Sequence, residues 1–265
     1  MGERLNHGQI MTACGRRVPA AVTLVSPIVM SGTRLLEEHM ATSGADLAHP
    51  GGDGTAEDVG PRGVLVLRTS PAVPAAAVLL LHGGHEHGME APPALNLPAL
   101  RMRPFAAEIA RVTRGRDVLV AEARYARRGW NGPRCDAAHD AQAALGRLRD
   151  LAGNVPVVLV GHSMGGRAAL RAAGDPLVRG VVGLAPWCPA GEPVEHLRGR
   201  GVFLLHHEAD RVTPAAESWA FVRRAREAGA DAVGIPMAAG GHAMLRGAGA
   251  WHRRTAALTE SLLGL

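Results

Sequence analysis

The stretch VVLVGHSMGGRAALRAAG (157–174) decides the fold, because a strand-like segment passes directly into a helix-like one through GHSMG. It opens with four successive apolar residues, which is typical of a strand buried on both faces of a parallel sheet. The alanine-rich part that follows Ser163 favours a helix. So sharp a turn strains its central residue and brings the flanking backbone close, so we expect Gly161 and Gly165 to be required there. The turn exposes the serine hydroxyl above the sheet.

Short apolar runs of the same kind recur on both sides of this turn and alternate with longer helix-like stretches, which is the order of βαβ units. We predict strands at 64–68, 78–83, 118–123, 156–161, 181–185, 202–207 and 232–236. We predict helices near 103–114, 136–152, 164–173, 214–228 and 249–263. These elements predict one α/β domain over residues 63–265, with a doubly wound, mostly parallel sheet covered by helices on both faces.

Residues 1–62 lack this pattern, and their last third is rich in glycine, polar and acidic residues. We predict a flexible or poorly ordered N-terminal tail there. The pair Arg16-Arg17 precedes the apolar run VPAAVTLVSPIVM (18–30), which leaves an export signal open as an alternative. No apolar run approaches the roughly 20 residues of a membrane span.

The composition is that of a globular protein, with 47% hydrophobic and 20% charged residues in a chain of 265. The net charge is +5, and all 29 basic side chains are arginines scattered along the chain. Nucleic-acid surfaces cluster basic residues with aromatics, which make up only 3% here, so we expect no nucleic-acid partner. The three cysteines form no CxxC pair and indicate neither a disulfide framework nor a zinc site. We therefore expect a cytoplasmic protein.

Two further residues complete a candidate catalytic set, because a serine hydroxyl needs a base that is oriented by an acid. Asp210 follows the apolar run 202–207, and His242 follows two glycines just before the last predicted helix. Serine, acid, histidine is the chain order of one hydrolase fold. We predict that Ser163 is the nucleophile, His242 the base and Asp210 the group that orients it.

Each partner has an alternative. Asp210 could instead cap the helix that begins near Pro214, and Glu208 would then be the nearest substitute acid. His206 and His207 are interpreted as ordinary core or edge histidines, since neither lies in a glycine loop.

An oxyanion hole is expected from the run VLLLHGGHEHGMEAP (78–92), whose HG turn can direct backbone N–H groups at the cavity. We predict Gly84 as one donor and Met164, the residue after the nucleophile, as the other. Gly83 and His85 are the neighbouring options for the first donor.

The same run holds side chains that could ligate a metal, namely His82, His85, Glu86 and His87. A metal site would leave GHSMG unexplained, and the rest of the chain offers no comparable cluster. We therefore predict no metal and no other cofactor.

Taken together, HGG (82–84), GHSMGG (161–166), the Asp210 loop and the Gly-Gly-His242 loop resemble the α/β-hydrolase superfamily, in particular its small esterase and dienelactone-hydrolase-like branch. The resemblance covers about residues 63–265. It implies a small-molecule substrate with an ester or related acyl bond, and no cofactor.

The pocket is expected to lack a lid. Only sixteen residues, PWCPAGEPVEHLRGRG (186–201), separate two predicted strands where relatives insert a helical cap. We expect Trp187 and His85 to contact the substrate, with a core aromatic as the alternative for Trp187.

These features predict a serine esterase. An acyltransferase, a thioesterase or an aminopeptidase-like hydrolase could use the same residues. A non-catalytic binding protein of this fold and a metal hydrolase are the alternatives from other classes. No feature of the sequence points to an oligomeric state.

Overall fold

An eight-stranded sheet forms the centre of the computed structural model, which describes residues 56–58 and 63–265. The strands are β1 (Ala56–Asp58), β2 (Gly63–Thr69), β3 (Ala76–Leu81), β4 (Val118–Tyr125), β5 (Val157–His162), β6 (Val178–Leu184), β7 (Gly201–His206) and β8 (Asp231–Pro236). The helices are α1 (Leu97–Val112), α2 (Asp136–Ala152), α3 (Met164–Ala172), α4 (Ala215–Glu227) and α5 (Ala248–Leu263). Short 3₁₀ turns lie at Gly132–Arg134 and Glu195–Leu197.

The strand order β1-β2-β4-β3-β5-β6-β7-β8 makes the sheet doubly wound. The strands from β4 to β8 in this order pair in parallel, whereas β2 pairs antiparallel with both β1 and β4. The connection from β3 leads to β4 on one side of it, and the next connection leads from β4 to β5 on the other side of β3. The winding of the sheet therefore changes direction at β3. A crevice opens at the carboxyl ends of strands at such a point, and it is where open α/β sheets bind ligands.

Two hydrophobic layers cover the sheet, because successive residues of each strand point to opposite faces. In β3, Ala77, Leu79 and Leu81 pack on the side of α2, α3 and α4. Val78 and Leu80 pack on the side of α1 and α5. The prediction of a mostly parallel sheet with helices on both faces is therefore confirmed.

The main difference from the predicted elements is α1, which begins at Leu97 and not near residue 103. Pro104 favours a helix start, yet the helix runs through it, and Pro104 itself is exposed. Pro98 occupies the first turn of the helix. Backbone N–H groups there have no acceptor within the helix, so a proline costs no hydrogen bond. The carboxyl end of β3 is thus followed by a shorter loop than expected, and α1 borders the crevice.

The edge strand β1 lies within the segment predicted to be a flexible tail. It pairs with β2 from Ala56↔Val66 to Asp58↔Val64. An edge strand is added through backbone groups, which the apolar pattern does not reveal. The remainder of the predicted tail lies outside the described residues.

The prediction that no helical cap is inserted between β6 and β7 is confirmed, because these strands are joined by a segment whose one regular element is the 3₁₀ turn at Glu195–Leu197. Within the described residues, no helix is both long and apolar enough to cross a membrane.

Candidate active site

Ser163 occupies a strained turn between β5 and α3. Its φ of 54° and ψ of −119° place a non-glycine residue in a region that L-residues rarely adopt. A Cβ on Gly161 would lie 2.6 Å from the Gly165 carbonyl carbon, and a Cβ on Gly165 would lie 2.6 Å from the Leu81 carbonyl carbon. Both distances are far shorter than van der Waals contact. The predicted steric need for glycine at both positions is therefore confirmed.

We expect Gly165→Ala to destabilise the fold by about 3 kcal/mol or more, because the new methyl group meets backbone that cannot rotate away. The matched control is Gly146→Ala in α2, where a Cβ would meet nothing within 4 Å. That change should stabilise the protein by about 0.5–1 kcal/mol through helix propensity. Urea unfolding of both variants measures the difference, and equal stabilities would contradict this account of the turn.

The three residues predicted to act together lie within hydrogen-bond distance of one another. His242 Nε2 is 3.0 Å from Ser163 Oγ, and His242 Nδ1 is 2.9 Å from Asp210 Oδ2. A carboxylate accepts hydrogen bonds only, so Nδ1 carries the proton and Nε2 is free to accept the serine hydroxyl proton. Asp210 and Ser163 are buried, and His242 comes from the loop between β8 and α5. This arrangement can activate a hydroxyl as a nucleophile.

Asp210 is held as a charged carboxylate at the end of β7. Its Oδ1 accepts the amide N–H groups of Val212 (2.8 Å) and Thr213 (3.2 Å). Burial raises the pKa of Asp210, but hydrogen bonds from the Val212 amide and from His242 outweigh it, so the pKa lies below its ordinary value. Asp210 does not cap α4, whose N-cap is Pro214, so the capping interpretation is wrong.

The alternative acid, Glu208, is directed elsewhere. Its carboxylate is exposed and accepts the indole N–H of Trp219 at 2.9 Å. Of the two candidates, the structure brings Asp210 to His242.

Two further side chains surround the Asp210 carboxylate. Thr213 Oγ1 lies 3.2 Å from Asp210 Oδ2 and 3.1 Å from His242 Nδ1. His206 is fully buried, with Nε2 2.9 Å from the Thr213 carbonyl and 3.2 Å from Asp210 Oδ2, and Nδ1 2.8 Å from Ser218 Oγ. The interpretation of His206 as a satisfied core histidine is confirmed. The contribution of Thr213 was missed, although its place three residues after Asp210 is the spacing of a turn that folds back on a carboxylate.

His162 supports the loop that carries His242. Its Nε2 donates to the His242 carbonyl at 2.9 Å, and the two rings lie 5.0 Å apart between centroids. Burial, followed by the charges of His242 and Arg101, lowers the pKa of His162 to about 3. His162 is therefore neutral, and because a carbonyl oxygen can only accept, its one ring proton lies on Nε2.

Lowering the pH should destabilise the protein already at pH values well above those at which carboxylates titrate. Burial lowers the pKa of His82 to about 4 and that of His162 to about 3, from 6.5. The unfolded chain therefore binds more protons below pH 6.5, and stability that is complete above this value is lost as the pH falls toward 4. At about 1.4 kcal/mol per pH unit and group, the free energy of unfolding should fall by about 4 kcal/mol between pH 7 and pH 5. Urea unfolding at both values tests this, and His162→Asn should remove about half of the pH dependence.

The two predicted oxyanion donors lie beside Ser163. Met164 is the first residue of α3, so its N–H has no acceptor within the helix. Gly84 lines the cavity that contains Ser163, and a Cβ there would lie 2.6 Å from the Arg128 carbonyl oxygen. The amide of His85 donates to that same carbonyl at 3.0 Å, which removes His85 from the options. Gly83 remains the alternative to Gly84.

The cavity beside Ser163 has a volume of about 350 Å³ and is open to solvent. Its lining residues are Gly83, Gly84, Leu97, Pro98, Arg101, His162, Ser163, Val212, His242 and Ala243. Leu97 and Val212 are two-thirds exposed, so the mouth of the cavity has an apolar rim.

Neither residue predicted to contact the substrate lines this cavity. The Trp187 ring packs 4.4 Å from the Arg167 guanidinium and edge-on to Trp130, whose ring centroid is 6.1 Å away. Trp187 follows a strand end that points at the site, but its side chain turns to the other face, where Arg167 offers a cation–π contact. His85 is exposed and lines a smaller neighbouring cavity of about 170 Å³. The alternative of a packed aromatic therefore describes Trp187 better.

The histidines of the run 78–92 do not converge. His82 is buried against the Tyr125 ring, with centroids 4.3 Å apart, whereas His85 and His87 are exposed. Among the described residues, no group of three or more His, Cys, Asp or Glu side chains could hold a metal ion.

Comparison with family models matches residues 76–224 to the alpha/beta hydrolase fold, and this chain therefore belongs to that family. The matched segment includes Ser163 and Asp210. A comparison with curated protein sequences finds no match.

Several solved structures share the fold at low sequence identity. MGS-M1, an alpha/beta hydrolase enzyme from a Medee basin deep-sea metagenome library, is 16% identical with a TM-score of 0.61, over 80% of this chain and 98% of its own. Esterase 2 of Thermogutta terrifontis, in a form phosphonylated by sarin, is 16% identical with a TM-score of 0.59, over 82% and 97%. Est1E from Butyrivibrio proteoclasticus is 13% identical with a TM-score of 0.55, over 80% and 99%.

Proposed function

We propose that this protein is a serine hydrolase that cleaves carboxylic esters of small molecules through an acyl-enzyme intermediate. The observation that carries the proposal is the continuous path from Ser163 Oγ to His242 Nε2 (3.0 Å) and from His242 Nδ1 to Asp210 Oδ2 (2.9 Å), beside an open cavity. The catalytic domain would be residues 63–265.

In the first half of the reaction, Ser163 Oγ attacks the ester carbonyl carbon while His242 Nε2 takes the hydroxyl proton. The resulting oxyanion lies near the N-terminus of α3, where the N–H of Met164 and that of Gly84 can donate to it. The carbon–oxygen bond to the alcohol then breaks, and His242 returns the proton to the departing alcohol. The acyl group remains on Ser163.

In the second half, water replaces the alcohol. His242 removes a proton from the water, whose oxygen attacks the acyl carbon, and the proton returns to Ser163 as the acid leaves. Asp210 stays charged throughout, and it stabilises the imidazolium that forms on His242 in both halves. The lowered pKa of Asp210 supports this role.

An ester substrate is supported by two proteins of the same fold, of which the Thermogutta terrifontis protein is described as an esterase. The Thermogutta terrifontis enzyme has been captured with propionate and with butyrate, and Est1E with ferulic acid. Short acyl esters are therefore the first substrates to try. The same site could pass its acyl group to an alcohol, thiol or amine instead of water. Analysis of the product distinguishes these acceptors.

The experiment compares hydrolysis of 4-nitrophenyl acetate, a thioester of the same acid and the matching anilide, with and without a competing alcohol. We expect the aryl ester to react fastest and free acetic acid to be the main product. Predominant transfer to the alcohol would assign an acyltransferase. Full activity in the Ser163→Ala variant, together with loss of activity on chelation, would overturn the proposal in favour of a metal hydrolase.

A further inference from the structure

Within the part of the chain that the structure describes, Arg101 is the one permanently charged side chain that lines the cavity beside Ser163. It lies in α1 and is half-buried, with Leu97 and Pro98 from the same helix beside it in the cavity wall. No aspartate or glutamate of the described residues lines this cavity or its smaller neighbour. The space above the candidate nucleophile is thus positive and otherwise largely apolar.

Arg101 has no counterion among the described residues, since no carboxylate of that part of the chain forms an ion pair or hydrogen bond with it. Two other arginines, one of the same helix and one of the neighbouring cavity, are paired. Arg111, also in α1, binds Glu108 at 2.8 Å, and Arg128 of the neighbouring cavity lies 3.2 Å from Glu90. Of these three arginines, the one in the cavity with Ser163 is the one without a carboxylate partner among the described residues.

A half-buried guanidinium has lost part of its hydration, which is unfavourable unless an anion replaces the water. A carboxylate fits this need best, because its two oxygens match two parallel N–H groups of arginine. The Arg101 charge also acts near the reacting atoms, since it contributes to the lowered pKa of His162, the neighbour of Ser163. The apolar rim formed by Leu97 and Val212 supplies a surface for a hydrocarbon segment between the two.

We propose that the ester cleaved at Ser163 carries a carboxylate, separated from the scissile bond by an apolar spacer, and that Arg101 binds this carboxylate. The inference rests on the proposed esterase function and gives it a substrate class. Arg101 is a specificity-determining residue in this account and takes no part in bond making or breaking.

The test uses pairs of esters that differ only in charge. One pair is monoethyl adipate and the ethyl ester in which an isopropyl group replaces the free carboxylate. The other pair is an acetate ester of a hydroxy acid of similar length and its isopropyl counterpart, which places the carboxylate on the alcohol side. Proton release gives kcat/KM for each ester with the wild type, Arg101→Gln and Arg103→Gln. Arg103 is an exposed arginine of the same helix that does not line the cavity, so it controls for net charge.

We expect the wild type and Arg103→Gln to prefer the anionic member of at least one pair by about tenfold or more, and Arg101→Gln to lose that preference. Equal ratios in all three proteins, or a preference of the wild type for the neutral esters in both pairs, would overturn the proposal.

A binding measurement separates this inference from the proposed reaction. Calorimetric titration of monoethyl adipate into Ser163→Ala, with and without Arg101→Gln, requires no catalysis. Binding weakened about tenfold or more by Arg101→Gln would support the carboxylate site even if no ester were hydrolysed. Binding that is absent, or is unchanged by Arg101→Gln, would contradict the site even if neutral esters were hydrolysed.

Discussion

Replacing Ser163 with alanine is expected to lower kcat/KM for an ester substrate by about 10⁴-fold or more. The hydroxyl is the one group in the path to His242 that can form the acyl bond, so its removal leaves only positioning and the backbone donors. The fold should be unaffected. Serine and alanine both carry a Cβ, and the strain at a φ of 54° is the same for either residue.

The control for this variant is its stability. Urea unfolding should give a free energy of unfolding within about 0.5 kcal/mol of the wild type. A folded variant that retained most of its ester hydrolysis would show that the reaction does not pass through Ser163.

The second large effect is expected from Asp210→Asn, which should lower kcat by about 10³- to 10⁴-fold. An amide can donate as well as accept, so it favours the His242 tautomer that has lost the Nδ1 proton, and Nε2 then cannot accept from Ser163. The amide also lacks the charge that stabilises the imidazolium. The volume change is small, and the Val212 and Thr213 amides can still donate to the remaining oxygen.

Glu208→Gln is the matched control, because Glu208 lies two residues away, is exposed and contacts Trp219 and not His242. It should leave kcat within about twofold of the wild type. A large loss of kcat in Glu208→Gln with little loss in Asp210→Asn would show that Glu208, and not Asp210, is the acid that orients His242.

The layered α/β fold could be predicted because the strands are apolar on successive residues. The helix predicted at residues 136–152 has the bounds of α2, and the predicted strand ends lie within three residues of the observed ones. Burial on both faces leaves continuous apolar runs in place of the two-residue alternation of a half-exposed sheet. The edge strand β1 escaped prediction because its pairing with β2 uses backbone groups and needs no particular side chains.

The candidate site was predictable where chain position fixes geometry. Ser163, Asp210 and His242 each follow a parallel strand, and the carboxyl ends of such strands meet at one edge of the sheet. The direction of a side chain, by contrast, is not fixed by its position in the chain. Trp187 also follows a strand end, yet its ring turns toward Arg167, and nothing in the local sequence encodes that choice.

Arg101 lines the site but could not be predicted to do so from the sequence. It lies in a stretch predicted to be loop, but the early start of α1 brings it into the wall of the cavity with Ser163. Whether an arginine is paired or free depends on contacts far apart in sequence. Its significance therefore emerges only from the folded chain.

The most direct test of the central claim is mass spectrometry of the intact protein after treatment with a fluorophosphonate, which reacts with activated serines. The account predicts one covalent adduct per chain on the wild type, located at Ser163, and none on the folded Ser163→Ala variant. An unmodified wild type, or an adduct that persists in Ser163→Ala, would contradict the claim that Ser163 is an activated nucleophile.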